Sequence, residues 1–238
     1  MDIMSMAASN EFLWIAMLLL NFAAVLVAFR FFGQTGIYVW IALAGVVANI
    51  QVSKTIEIVG FTATLGNIVY AGSFLATDIL SEHYGKDAAR RGVGIGFFSI
   101  LVVTGLMYLA ILFEPAPSDT MHESLATVFG VLPRIAGASL VAYVISQRHD
   151  VWAYSFWRTR FPGPLWIRNN LSTIVSQLID SVVFTIVAFA GVFPAGVLVQ
   201  IVVTTYLVKA VVAVADTPFL YLAGIIHRRS ERPAPAEE

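Results

Sequence analysis

A chain of 238 residues that is 58% hydrophobic and 12% charged carries more apolar surface than one water-soluble core can hide, so the class is polytopic membrane protein. A formal net charge of −1 and a sequence pI near 6.4 give no basis for nucleic-acid binding. The absence of cysteine excludes disulfides, thiol catalysis and Cys-ligated zinc, and the four scattered histidines form no HxxxH or HExxH pair, so no metal or other cofactor is expected.

A bilayer span needs about 20 apolar residues. The first, 12–31, follows an N-terminus with neither the basic start nor the small-residue cleavage site of a secretory signal, and is expected to stay in the mature protein. The second, 36–53, is short and is followed by Lys54 and Glu57. Asn49 near its end either caps that helix or reaches a cavity. The third, 63–82, places Asn67, Tyr70, Ser73 or Phe74, and Thr77 with Asp78 at helical spacing. A bare hydroxyl stripe is helix–helix glue, but one with an amide, a carboxylate and an aromatic is more than glue needs.

Between the third span and the fourth, 89–113, lies the most distinctive block of the chain. Asp78 and Glu82 stand one helical turn apart, Gly85 breaks the helix, and Lys86, Arg90 and Arg91 form a basic knot. The basic residues can neutralise the acids, so Glu82 reads as a structural clamp, with a gate as the sharper alternative.

The fifth span, 125–147, holds Arg134 about two turns in. It either pairs with an acid on a neighbouring helix or offers a guanidinium to a pocket. In the sixth, 169–191, Thr173, Ser176, Gln177 and Asp180 share a face that Phe184 extends, leaving Ile174, Leu178, Ile179 and Val183 for lipid or packing. The seventh, 196–226, carries Lys209 about 20 Å along its helix. Pro218 offers a kink, where Asp216 can meet a freed backbone amide. Each ionised group at the bilayer centre costs about 2.5–3.5 kcal/mol. Asp180 and Lys209 are therefore expected to pair, and the favoured reading is that they also face a wet cavity holding a polar ligand.

Charge sets the sidedness. Arg30, the Lys86–Arg91 knot, Arg148, Arg158, Arg160, Arg168, Arg228, Arg229 and Arg232 fall on one side if the helices alternate. The other side holds Glu114, Asp119 and Glu123, with Lys54 as its basic residue. The positive-inside rule then gives a multi-pass protein of the cytoplasmic membrane, N-terminus outside and C-terminus in the cytoplasm. The expected organisation is a first span within 1–35, a core over 36–227, and a disordered cytoplasmic tail over 228–238.

The run Thr77-Asp78-x-x-x-Glu82-x-x-Gly85-Lys86-x-x-Ala89-Arg90-Arg91 resembles the hallmark of the YhhQ-type queuosine precursor transporters, the vitamin uptake transporter family. Three further segments match in order. They are Arg134-Ile135-Ala136-Gly137-Ala138-Ser139, then Ser172 to Ser181 around Gln177 and Asp180, then Tyr206-Leu207-Val208-Lys209 with Asp216-Thr217-Pro218. The resemblance implies an all-α transmembrane bundle whose six-helix core is like the substrate-binding components of vitamin uptake systems, with the first span as an extra helix. It implies a small-molecule deazapurine as partner: 7-cyano-7-deazaguanine, 7-aminomethyl-7-deazaguanine or queuine, imported for salvage into tRNA queuosine.

Such a base offers a donor-rich edge, a carbonyl acceptor and a flat face. Asp180 can accept the donors, Gln177 can read either edge, Arg134 or Lys209 can donate to the carbonyl, and Tyr70 or Phe74 can stack on the ring. Asn67 and Asp78 complete the candidate set. Gly85-Lys86 lacks the glycine loop of a P-loop, so transport rests on this chain and its own oligomer or on separate energising subunits. A different class, a retinal-type photoreceptor, would use Lys209 with Asp180 as counter-ion, although the third span lacks the expected Arg-and-Asp arrangement. An intramembrane enzyme is the weakest reading, because no nucleophile–base pair or metal set is present.

Overall fold

A computed structural model describes residues 9–160 and 165–230. Most of the tail expected at 228–238 lies outside the described residues, as does the side chain of Thr173. Among the described residues, eight helices and one β-hairpin make up the regular structure.

Helix α1 (Asn10–Gln51) starts at Ser9, whose Oγ accepts from the Phe12 N–H at 3.2 Å. It is two arms. Gly33 sits at φ 56°, ψ −138°, a conformation open to glycine, and there the chain doubles back. A Cβ on Gly36 would lie 2.3 Å from the Ala28 carbonyl oxygen. In one straight helix those residues would be about 12 Å apart. Met17 of the first arm accordingly packs against Ala44 and Ala48 of the second. The expected spans 12–31 and 36–53 correspond to these arms.

Each arm buries one stripe: Leu18, Phe22, Val25 and Phe29, then Ile37, Ile41, Ala44 and Ala48. Helix α2 (Gly66–Tyr84) answers with Ile68, Ala71, Leu75 and Ile79. Asn21 Nδ2 ties the two together by donating to the Ile68 carbonyl at 2.7 Å. Gly72 makes room for it, since a Cβ there would fall 2.4 Å from Asn21 Oδ1.

Between α1 and α2 the sequence reading missed a hairpin. Strands β1 (Thr55–Ile58) and β2 (Phe61–Thr64) pair antiparallel around Val59 and Gly60, so the third span starts at Gly66 rather than at 63. Val59 and Gly60 both have positive φ, 51° and 76°, as a two-residue type I′ turn requires. Glu11 Oε1 accepts from the Val59 N–H at 3.1 Å, and Asn10 Nδ2 donates to the Glu57 carbonyl at 2.9 Å. Thr-rich β-branched alternation forms the strands, but Phe61 and Ala63 made the segment read as the start of an apolar span.

Helix α3 (Lys86–Ile111) returns to the hairpin end. The span expected at 125–147 matches the apolar stretch His122–Ser146, which is made of a short helix α4 (His122–Phe129) and the first half of a long helix α5 (Leu132–Arg160), with Pro133 in the first turn of α5, where its missing N–H is harmless. Helix α6 (Leu165–Phe189) runs back, followed by α7 (Ala195–Ala215) and α8 (Thr217–Ser230). The expected continuous span 196–226 is thus broken at Asp216. Pro218 cannot donate to the carbonyl four residues earlier, and its ring clashes with it.

Helices α1, α2, α3 and α8 pack as one unit, α5 and α6 as an antiparallel pair, and α7 runs between β2 and α6. Three stretches, Asn10–Gln51, Asp87–Ile111 and His122–Ser146, are long and apolar enough to cross a membrane; Ile174–Phe189 and Ala195–Val211 are shorter apolar stretches. Large apolar side chains such as Phe31, Phe98, Phe113 and Val199 stand on the exterior, an arrangement suited to lipid contact.

Candidate functional site

A half-open cavity, about 600 Å³ with the space at its mouth included, lies among α1, α2, α5, α6 and α7. Its polar centre is an ion pair. Lys209 Nζ of α7 meets Asp180 Oδ2 of α6 at 2.5 Å, with the side chains 13% and 27% exposed respectively. Ser146 Oγ of α5 donates to Asp180 Oδ1 at 3.4 Å. Attraction between contacting charges at an effective dielectric near 20 is about 4 kcal/mol. Inserting both ions costs about 5–7 kcal/mol. The pair's attraction offsets much of the cost of its burial, and Ser146 adds a hydrogen bond to Asp180.

The walls follow from helical spacing. Asn67 of α2 donates from Nδ2 to Thr64 Oγ1 and to Thr205 Oγ1, both at 3.0 Å, joining α2 to α7. Thr205 precedes Lys209 by four residues, so both face the cavity. Tyr70, Tyr143 and Phe184 bring aromatic surface from α2, α5 and α6. Tyr70 is braced edge-on by Phe74, with ring centroids 5.2 Å apart.

Of the residues singled out in the sequence, Asn67, Tyr70, Asp180 and Lys209 come together at this cavity. Arg134 does not line it. It stands in the first turn of α5 and donates from Nε to the Val187 carbonyl at 2.9 Å and from Nη2 to the Ala190 carbonyl, at the C-terminal end of α6. Neither the pocket nor an acidic partner accounts for it; helix-end carbonyls with no intrahelical donor do. Gln177 also lies off the cavity, and its carbonyl accepts from Ser181 Oγ at 2.9 Å. Asp78 lies two turns beyond Tyr70, away from the hairpin, where Asp216 at the α7–α8 break is its charged neighbour. Glu82 is exposed, and Arg90 pairs with Asp87 at 3.4 Å on the surface rather than with Glu82. Arg91 is exposed too.

Ser139, Tyr143, Ser181 and Thr205 also line the cavity, and so does Asn49. The pair Ser139 and Tyr143, four residues apart, was a readable signal in the fifth span. Among the described residues, no group of three or more His, Cys, Asp or Glu is placed to hold a metal.

Residues 64–223 match the family described as "Putative vitamin uptake transporter". The chain belongs to that family. A protein of Bacillus subtilis (strain 168) named "Probable queuosine precursor transporter" is 46% identical over 225 residues, covering 94% of this chain and 98% of its own length. A Haemophilus influenzae protein with the same name is 30% identical over 129 residues, 54% of this chain and 53% of its own length. No solved structure matches. This member of the vitamin uptake transporter family is a multi-pass membrane protein. The alignment with the Bacillus protein leaves about 14 of the 238 residues unmatched, so it takes in part of the first arm.

Proposed function

We propose that this chain imports queuosine precursors across the cytoplasmic membrane: 7-cyano-7-deazaguanine, 7-aminomethyl-7-deazaguanine or queuine, for salvage into tRNA. The observation that carries the reading is a part-buried Asp180–Lys209 pair at an aromatic-walled cavity, in a chain 46% identical to a protein named a probable queuosine precursor transporter. Family membership supports carriage over a retinal-type photoreceptor and over catalysis.

The ligand roles follow from complementarity. The amidine edge of a deazaguanine presents two parallel N–H donors, which a carboxylate accepts in a bidentate way, as Asp180 is placed to do. Lys209, released from Asp180 as the ligand enters, donates to the adjacent ring carbonyl. Tyr70, Tyr143 or Phe184 covers the ring face. Arg134 ties α5 to α6 rather than touching ligand, and Gln177 supports the α6 face from outside the cavity. Asp78, with Asp216, sits between the cavity and the cytoplasmic end. Glu82, Arg90 and Arg91 form a polar surface there that faces the cytoplasm. The hairpin end lies outside and the C-terminus inside, by the excess of Arg and Lys at the other end. Transport proceeds through this chain and its own oligomer, driven by a gradient or by trapping of the base. The alternative is a substrate-binding component served by separate energising subunits.

The test is complementation. Cells unable to make or import queuosine precursors express this chain, receive each base in turn, and have tRNA queuosine measured. Restored queuosine with at least one base is expected. Absence of queuosine with all three, at normal membrane levels of the protein, refutes the reading.

A further inference from the structure

Asn49, which the sequence left between a helix cap and a cavity contact, lines the cavity from the second arm of α1 and is only 9% exposed. Its amide orientation is fixed, because Nδ2 donates to the Gly45 carbonyl at 2.7 Å and only the NH₂ can do so. That leaves Oδ1 as a buried acceptor with no partner. Buried polar atoms are nearly always satisfied, and each exception needs a reason. Asn21 Oδ1 also lacks a partner, but it lies between α1 and α2 against Gly72. Among the described residues, Asn49 Oδ1 is the one such atom on a cavity-lining side chain.

Its depth relative to Asp180 follows from helix geometry. Val52 of α1 and Ala188 and Phe189 of α6 share one apolar cluster near the hairpin end. From that level Asn49 lies three residues inward, about 4.5 Å, and Asp180 lies eight residues inward from Ala188, about 12 Å. Measured along the helices, Asn49 is thus nearer that cluster than Asp180 is, and the two acceptors reach the cavity from different helices. With its amidine edge on Asp180, a deazaguanine turns its five-membered ring towards Asn49. In 7-cyano-7-deazaguanine the ring N–H at position 9 is the hydrogen-bond donor on that side.

We infer that Asn49 is a specificity-determining ligand contact whose Oδ1 accepts the ring N–H at position 9. The site thereby selects the free base over anything substituted there, nucleosides included. The inference rests on the deazaguanine reading of the cavity and adds a residue and a selection rule to it. A sugar or methyl group at that nitrogen removes the donor and places bulk against Asn49, leaving its Oδ1 unmet.

The experiment measures binding of 7-cyano-7-deazaguanine and its 9-methyl derivative to the purified full chain and to Asn49→Ala. The wild type is expected to bind the 9-methyl derivative at least tenfold more weakly than the parent. Asn49→Ala is expected to lose at least tenfold for the parent while treating the two ligands alike within threefold, since it has no acceptor to satisfy and has room for the methyl group. Equal binding of both ligands by the wild type overturns the inference without any variant. So does an equal weakening of both ligands in Asn49→Ala, the signature of a merely structural residue. If the wild type binds neither base, the deazaguanine reading itself falls, and the role of Asn49 falls with it.

Discussion

Asp180 and Lys209 are the residues on which structure and transport can be told apart. Removing one member of a buried pair leaves the other charge uncompensated, a loss of about 3–5 kcal/mol. Removing both can be nearly neutral for folding. Asp180→Asn and Lys209→Met are each expected to lower the melting temperature of the detergent-solubilised protein and to cut precursor uptake by at least about tenfold, the loss expected when a transported ligand loses one charge-assisted contact. The double variant is expected to regain most of the melting temperature and none of the uptake. Full uptake by the double variant would show that the pair serves packing alone.

Elements explain what the sequence revealed and what it hid. The first two spans were legible as bounds only, and the stripe Leu18-Phe22-Val25-Phe29 emerges from the structure, because in a run apolar all round the sequence does not say which face is buried. Asp180 and Lys209 were legible because charge in lipid is costly enough to need a reason. Asn67 and Tyr70 were legible by spacing on one helix. Asn49 and Tyr143 stood out less, since a single amide or a tyrosine near a span end is ordinary, and only the fold shows that both border one cavity. The hairpin was hidden because its apolar strand residues ran on into a span. Arg134 was misread for a different reason: its partners are backbone carbonyls of another helix end, and no sequence pattern says which helix end lies beside it.

That placement of Arg134 carries its own prediction. A charged donor to carbonyls contributes about 1.5–3 kcal/mol. Arg134→Met is expected to lower thermal stability by that order while leaving the half-saturation concentration for uptake within about twofold, because no substrate contact is removed. A melting temperature unchanged from wild type, with a half-saturation raised tenfold or more, would return Arg134 to the ligand site.

For the whole molecule, the alternation of helices and the distribution of charge constrain each other. The hairpin, the 112–121 connection and the turn between α6 and α7 share one end, while Gly33, Gly85 and the C-terminal end of α8 share the other. Arg30, Arg90, Arg91 and Arg228 gather at the second end, whereas Glu114, Asp119 and Glu123 mark the first. Translocating the basic end is the unfavourable choice, so the acidic connection should face outward. The chain lacks cysteine, so single introduced thiols report sidedness without background. Ser118→Cys, in the exposed connection before α4, is expected to react with a membrane-impermeant maleimide in intact cells. Ser230→Cys, at the end of α8, is expected to react only after the membrane is opened. The reverse pattern would invert the orientation, placing the cavity end nearest Asn49 in the cytoplasm and making the same site one that faces outgoing rather than incoming base. Labelling of both thiols in intact cells would instead mean that the helices do not alternate as the fold requires.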